Sequence, residues 1–155
     1  RPKSRGFVEI KSNNYLDDPK IQFNYLEHEE DLQQMRDSVK IANKIFKQES
    51  MKKYLGDQLR PGYDASDNEL DDIIRNTADT AYHPSCTNKM GVDSMAVVDQ
   101  ETKVYGVENL RVIDSSIMPD ILSGNLNAGT IMIAEKAADM ILGKQEAPIE
   151  ANYYS

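Results

Sequence analysis

This chain is organised around two stretches, AYHPSCTNKMG at residues 81–91 and SGNLNAGTIMIAEKAADMILG at residues 123–143. The first presents His83 directly before a proline, in a loop of small polar residues. The second presents Asn125 and Asn127 immediately ahead of an apolar, helix-forming segment. An imidazole can accept a proton, and a carboxamide can donate a hydrogen bond to an alkoxide. The two stretches therefore predict a pair of groups suited to oxidising an alcohol.

Length, charge and hydropathy exclude several classes of function. The 155 residues suffice for one domain with a core of ordinary size, and the apolar and charged fractions are those of globular proteins. A net charge of −8 argues against a nucleic-acid partner, because phosphate binding needs a clustered basic surface. The sequence has no run of about 18 apolar residues, the length that a membrane-spanning helix requires.

The ends and the single cysteine say little about location. The chain opens at Arg1 with neither an initiator Met nor a signal peptide, so we expect it to be a piece of a longer protein. Cys86 is the only cysteine, which excludes an internal disulfide and leaves the redox compartment undecided. A cytoplasmic place, or one peripheral to an energy-transducing membrane, is the expectation.

Hydrophobic periodicity predicts the elements of the first half of the chain. Ser66 and Glu69 have the spacing of a capping box, and Gly6 is a candidate kink or bulge. The predicted elements are a strand within residues 1–10, an extended segment at 21–26, an amphipathic helix at 29–48 and a second helix at 66–78.

The second half predicts short strands and one long helix. The predicted elements are strands at 96–99, 103–105 and 110–113, the last of them buried, a helix ending at Gly143, and a surface tail to Ser155. The predicted buried stripe of the last helix is Ile131, Ala134, Ala138 and Ile141. The fold class is therefore α+β, with a partial antiparallel sheet and helices packed on one side.

Each candidate residue also has a structural interpretation. A lone histidine is usually surface or satisfied core, but the polar loop around His83 favours a functional role. His28 lies in a charged run and is interpreted as solvated surface. His83 and Cys86 are spaced like metal ligands, but no second pair completes a structural zinc site, so no metal is predicted. Cys86 also lacks the glycine-framed turn of a nucleophile and is interpreted as a packing residue.

The two asparagines leave two interpretations open. Asn125 and Asn127 fit a simple helix N-cap and turn. The same helix start would also favour negative charge, such as the pyrimidine edge of an anionic reduced flavin. Spacing alone does not choose between them.

Three motifs in order carry a resemblance to a known family: HPSCTNKMG, VENLRVIDSSIMP and SGNLNAGTIMIAEKAAD. Together with the earlier SRGFVEI, they resemble the C-terminal part of the glucose–methanol–choline oxidoreductases over nearly the whole chain. Two departures are visible. Asn88 stands where a Cys is usual, and Gly129 stands where Pro or another small residue usually follows the asparagines.

The resemblance implies an FAD enzyme in which a substrate domain, built on an antiparallel sheet, covers the flavin. His83 resembles the family's active-site histidine, and Asn125 resembles its partner. Asn127 resembles the residue that touches the flavin from the helix start. Asp114 and Ser115 resemble the turn that returns to the FAD domain and contacts the cofactor.

The resemblance also implies partners. The substrate is expected to be a small alcohol, with choline first, and the electron acceptor to be oxygen or a quinone. Tyr82 is a possible neighbour for the quaternary ammonium of choline. The glycine-rich dinucleotide turn is missing from the sequence, so an N-terminal FAD-binding part of the same protein is expected. The isolated piece should then expose apolar surface and self-associate.

Two other functions stay open at this point. One is an oxidase or dehydrogenase of another primary alcohol. The other is a non-catalytic interaction module with the same fold, which a full-length gene without any dinucleotide-binding segment would favour.

We predict that this chain by itself binds FAD weakly or not at all and shows no turnover. The reason is that no segment of the sequence has the glycine-rich turn that holds the ADP half of FAD. Titration of the purified chain with FAD, followed by flavin fluorescence, measures this. Tight binding at one flavin per chain would contradict it.

Overall fold

The computed structural model describes residues 1–62 and 64–144. They form two compact units, Pro2–Ala81 and a second unit that joins Arg1 to the residues from Tyr82 onward. Helices and a small antiparallel sheet make up the elements, which confirms the α+β class. The predicted surface tail at 145–155 lies outside the described residues.

The strands of the first unit form a two-stranded sheet. Strand β1 (Phe7–Glu9) pairs antiparallel with β2 (Lys20–Gln22), with Phe7 opposite Gln22. Gly6 is needed just before this sheet, because a Cβ there would lie 2.2 Å from the carbonyl oxygen of Gln22. The predicted strand within residues 1–10 is confirmed, and Gly6 marks a close approach of the two backbones.

The helices of the first unit are α1 (Glu29–Phe46), α2 (Glu49–Lys52) and α3 (Asp67–Thr77). Both predicted long helices are confirmed. The capping box is present, since the Glu69 amide donates to Ser66 Oγ (3.3 Å) and the Ser66 amide to Glu69 Oε2 (2.7 Å). Helix α2 was not predicted, because a single turn is too short to show a helical period.

The core of this unit lies between α1 and α3. Leu32, Leu70 and Ile74 are buried there, and each such side chain contributes about 1.5–3 kcal/mol by leaving water. Arg36 of α1 adds a polar tie, because its guanidinium lies 2.5 Å from Glu29 and 2.6 Å from Asp71 of α3. Apolar packing and one well-covered ion pair therefore hold the two helices together.

Two side chains at the start of α1 satisfy backbone amides. His28 is exposed, as expected, but it also caps the helix by accepting from the Glu30 amide at 3.2 Å. Asp31 is buried and accepts from the amides of Lys3 and Ser4 (both 2.7 Å) and from the Ser4 hydroxyl (2.5 Å). Burial opposes ionisation of Asp31, but these hydrogen bonds, helped by His28, outweigh it and lower the pKa from 3.8 to about 2.

The second unit has less regular structure than predicted. Val98 is fully buried and makes bridges with Met90 and Val104, while Lys103 bridges to Arg111. Residues 96–99 and 103–105 pair antiparallel around the intervening turn, as predicted, but the pairing is a single bridge and not two extended strands. Two backbone bonds flank this bridge, from the Tyr105 amide to the Val97 carbonyl (3.0 Å) and from the Asp99 amide to the Lys103 carbonyl (2.9 Å).

The prediction of a buried strand at 110–113 is also wrong. Leu110 is 48% exposed, and the segment pairs with residues 102–104, through the Val112 amide to the Thr102 carbonyl (3.1 Å) and the Val104 amide to the Leu110 carbonyl (3.0 Å). The Arg111 guanidinium donates to the Glu101 carbonyl on the same side. Apolar and β-branched residues favour a strand only where strands flank them.

The last helix, α4 (Leu126–Ile141), is confirmed, but its predicted buried face is wrong. Ile131 and Ile141 are more than half exposed, and the buried residues are Leu126 and Ala137. Apolar residues of α4 occur on nearly every side of the helix, so the hydrophobic period could not indicate which side is buried. A Cβ at Gly129 would lie 2.6 Å from Leu122 Cδ1, so this glycine lets the preceding segment pack against the helix.

The helices found within residues 1–62 and 64–144 include none with the length and apolar character needed to cross a bilayer.

We predict that Asp31→Asn destabilises the first unit at neutral pH by at least about 2 kcal/mol, because a buried carboxylate loses charge-assisted hydrogen bonds. Because the folded-state pKa of Asp31 is lowered, its contribution is present above pH 4 and is lost as the pH falls toward 2. Urea denaturation of both proteins at pH 7, 4 and 3 measures the difference, which should shrink with acidity.

Asp37→Asn is the matched control, because Asp37 is an exposed carboxylate on the same helix. It should change the free energy of unfolding little at any pH. Equal losses for the two variants, or a difference independent of pH, would contradict the role of Asp31.

Candidate active site

The loop that carries His83 has a strained backbone. Tyr82 and Cys86, on either side of the histidine, adopt positive φ angles of 57° and 70°. Such angles cost energy for residues other than glycine and persist only where the surroundings enforce them. The loop therefore has a specific shape, in which His83 is exposed.

A run of backbone hydrogen bonds holds this loop against the short 3₁₀ helix Ser115–Ile117. The amides of Cys86, Asn88 and Met90 donate to the carbonyls of Ser115 (3.3 Å), Ser116 (2.9 Å) and Ile117 (2.8 Å). Alternate residues of the loop are thus fixed one after another, as in a strand pair. Below we call these three bonds the loop ladder.

The start of α4 is fixed by Asn125. This residue is the N-cap, and its Oδ1 accepts from the Asn127 amide at 2.9 Å. The structural interpretation of the asparagines is therefore correct for Asn125. Asn127 lies exposed in the first turn, where backbone amides without intrahelical acceptors and the helix dipole favour negative charge.

The structure brings the two predicted residues together. Asn125 Nδ2 lies 3.3 Å from His83 Nε2, across 42 positions of sequence. Because Oδ1 of Asn125 is engaged by the helix, the atom that faces the imidazole is the amide nitrogen, which can only donate. His83 Nε2 must then accept, which places the ring proton of a neutral imidazole on Nδ1.

Asp114 and Ser115 lie beside the same loop. Asp114 Oδ1 accepts from the Ser116 amide at 2.7 Å and so caps the 3₁₀ helix. Ser115 Oγ donates to the Pro84 carbonyl at 3.5 Å, a long hydrogen bond next to the histidine. The four polar residues predicted around His83 therefore lie at two helix starts, those of the 3₁₀ helix and of α4, within the same unit.

Cys86 is half-buried, with Sγ 3.4 Å from the Ser85 hydroxyl. Its thiol therefore contacts a neighbouring side chain in the loop. Across the described ranges 1–62 and 64–144, His, Cys, Asp and Glu form no group of three suited to a metal ion.

Sequence reasoning missed one contact in this site. The Asn88 amide nitrogen donates to Ser116 Oγ at 3.0 Å, and both residues are half-buried. The residues are 28 positions apart, so no local pattern could indicate the bond. Asn88 had been singled out only as a departure from the family motif.

Comparison with known proteins identifies the family of this chain. The sequence model of the GMC oxidoreductase family matches residues 2–134. This chain belongs to the GMC oxidoreductase family, as its motifs predicted.

Curated relatives and solved structures agree with this assignment. The oxygen-dependent choline dehydrogenases of Klebsiella pneumoniae and Pseudomonas aeruginosa are 52% and 51% identical, over 99% of this chain and 28% of each relative. The chain thus spans about 28% of the length of these relatives. These relatives confirm the resemblance to the glucose–methanol–choline oxidoreductases.

Two solved structures share the fold. Pyridoxine 4-oxidase from Mesorbium loti has a TM-score of 0.86 and 32% identity, over 94% of this chain and 28% of that one. Formate oxidase of Aspergillus oryzae has a TM-score of 0.84 and 31% identity, over 92% of this chain and 26% of that one.

We predict that Asn125→Ser retains the stability of the chain while Asn125→Ala lowers its free energy of unfolding by about 1 kcal/mol. Serine keeps an oxygen that accepts from the Asn127 amide, whereas alanine leaves that amide uncapped. Chemical denaturation of the three proteins measures the difference. Equal losses for both variants would show that Asn125 is not the effective cap.

Proposed function

We propose that this chain is the C-terminal, substrate-side portion of an FAD-dependent alcohol dehydrogenase, with choline as its substrate and betaine aldehyde as the product. His83 acts as the base, and Asn125 holds the alkoxide. The observation that supports this most directly is the 3.3 Å contact between His83 Nε2 and an amide nitrogen of Asn125.

The proton step follows from these two side chains. A substrate hydroxyl that replaces the direct contact and lies within hydrogen-bond distance of both side chains can give its proton to His83 Nε2. The Asn125 amide, held by the helix cap, then donates to the alkoxide oxygen and cannot compete for the proton. Positioned proton transfer of this kind contributes about 10²–10⁴-fold in rate.

The residues of this unit fit a flavin as cofactor, which is the cofactor of this family. The first turn of α4 presents Asn127 and backbone amides without intrahelical acceptors, a donor set suited to the pyrimidine edge of the ring. Asp114 and Ser115 are the other residues that would contact FAD. When bound, FAD supplies the acceptor for the hydride that leaves the alcohol carbon.

Two observations favour choline among the candidate substrates. The relatives that are about half identical to this chain are named as choline dehydrogenases. Tyr82, next to His83, is 80% exposed, and an aromatic ring attracts a quaternary ammonium group. These relatives are named oxygen-dependent, so oxygen is the first electron acceptor to assay, with a quinone as the alternative.

A second candidate is an oxidase of another small polar compound. The two proteins of known structure that share the fold are named as oxidases of pyridoxine and of formate. Steady-state assays with choline against aliphatic alcohols, with and without a quinone, separate these candidates.

We also propose that an N-terminal FAD-binding part of the same protein covers this chain. Apolar residues on α4 are exposed, among them Ile131, Met132 and Ile141. An uncovered apolar face of this kind would make the isolated chain self-associate.

We predict that His83→Ala in the full-length protein slows flavin reduction by choline by about 10²–10⁴-fold, while the flavin stays bound. The expected cause is loss of the base, since His83 lies at the surface of its unit and does not support the core. Anaerobic stopped-flow absorbance of the flavin measures the rate, and the visible spectrum measures flavin content.

His28→Asn is the matched control, because it removes the other histidine and keeps a side-chain acceptor for the Glu30 amide. It should leave the rate unchanged. Flavin reduction at the normal rate in His83→Ala would remove the proposed role of this residue.

A further inference from the structure

The contact between Asn88 and Ser116 lies between the two parts of the proposed site. Ser116 follows Asp114 and Ser115, and its amide donates to Asp114 Oδ1 at 2.7 Å. Its hydroxyl accepts from Asn88 Nδ2 at 3.0 Å. A single serine thus joins the residues proposed to contact the cofactor to the loop that carries His83.

The backbone of the loop is held mainly by hydrogen bonds to the 3₁₀ helix. It has no regular secondary structure from residue 82 to residue 89, and its shape includes the positive φ angles of Tyr82 and Cys86. The loop ladder holds its backbone through three bonds, the first of them long at 3.3 Å. Asn88 is the central residue of the ladder and donates to Ser116 through both its backbone and its side chain.

We propose that Asn88 is a positioning residue, which holds the loop of His83 in the geometry that places Nε2 beside Asn125. This inference rests on the proposed role of His83. Asn88 has no part in the proton step itself. Its side chain is half-buried, so its bond to Ser116 is partly protected from competition by water.

The consequence for rate follows from geometry. Small displacements of a base from its hydrogen-bonding position cost rate strongly, up to about 10²-fold for 1 Å. Without the side-chain bond, the ladder should open more often and His83 should occupy its position for less of the time. The limiting rate should fall, while the affinity for flavin is retained.

The test uses the full-length protein with Asn88→Ala, Ser116→Ala and the double variant. Each single variant should lower the limiting rate of flavin reduction by choline about tenfold, with the flavin content unchanged. The double variant should be no slower than either single variant, because both remove the same bond. Ser116→Thr, which keeps the hydroxyl, should restore most of the rate.

A second readout does not depend on activity. Amide hydrogen exchange at residues 86, 88 and 90 should be about tenfold faster in Asn88→Ala and in Ser116→Ala, since these amides form the loop ladder. Lys89→Gln is the matched control on the same loop, because it removes only the exposed ion pair with Asp93. It should change neither the exchange nor the rate.

The outcomes separate this inference from the proposed function. If the wild-type protein reduces its flavin with an alcohol but Asn88→Ala does so at the normal rate, the positioning role is overturned. Unchanged exchange at the three amides overturns it as well, whatever the activity. A wild-type protein that binds no flavin and oxidises no alcohol overturns the proposed function, and the exchange experiment then still decides whether Asn88 holds the loop.

Discussion

One carboxamide fixes the geometry of the site. The helix α4 needs an acceptor for its first amides, and Asn125 supplies it through Oδ1. The other end of the same planar group must then point away from the helix, and it points at His83. Capping of the helix therefore determines which atom of Asn125 faces the imidazole, and that atom is a hydrogen-bond donor and not an acceptor. A helix start is also rigid, which makes the placement of that donor reproducible.

The histidine is held in a different way. Its loop has no helix or strand, and two residues in it pay for left-handed backbone angles that cost of order 1–3 kcal/mol each. The loop ladder and the Asn88–Ser116 bond offset this cost by tying alternate residues to the 3₁₀ helix. The two partners of the site thus differ in rigidity, and the loop partner is the one that a weakened contact would displace.

The sequence predicted what depends on neighbours in the chain. The helices α1 and α3 follow from a 3.6-residue period, and the two residues of the capping box, Ser66 and Glu69, are three positions apart. The motifs predicted the pair of His83 and Asn125, although only the fold could bring them within 3.3 Å. The buried face of α4 could not be predicted, because the helix carries apolar residues on nearly every side. The sequence also could not show that residues 110–113 do not form a buried strand. Both depend on what packs nearby, and so does the bond of Asn88 across 28 positions.

The pair is exposed in this chain, and what holds its geometry differs from what would set its electrostatics. His83 and Asn125 are both open to solvent in this chain, yet their contact is made by local forces, namely a cap and a ladder. Water beside the pair would compete for the amide donor and would weaken its interaction with an alkoxide, since that interaction gains strength in a site of low dielectric constant. A cover over the pair would therefore change its geometry little, but it would strengthen the interaction of the amide donor with an alkoxide by excluding water. In the proposed enzyme, the flavin and the part of the protein that binds it would provide that cover and exclude water at the moment of proton transfer.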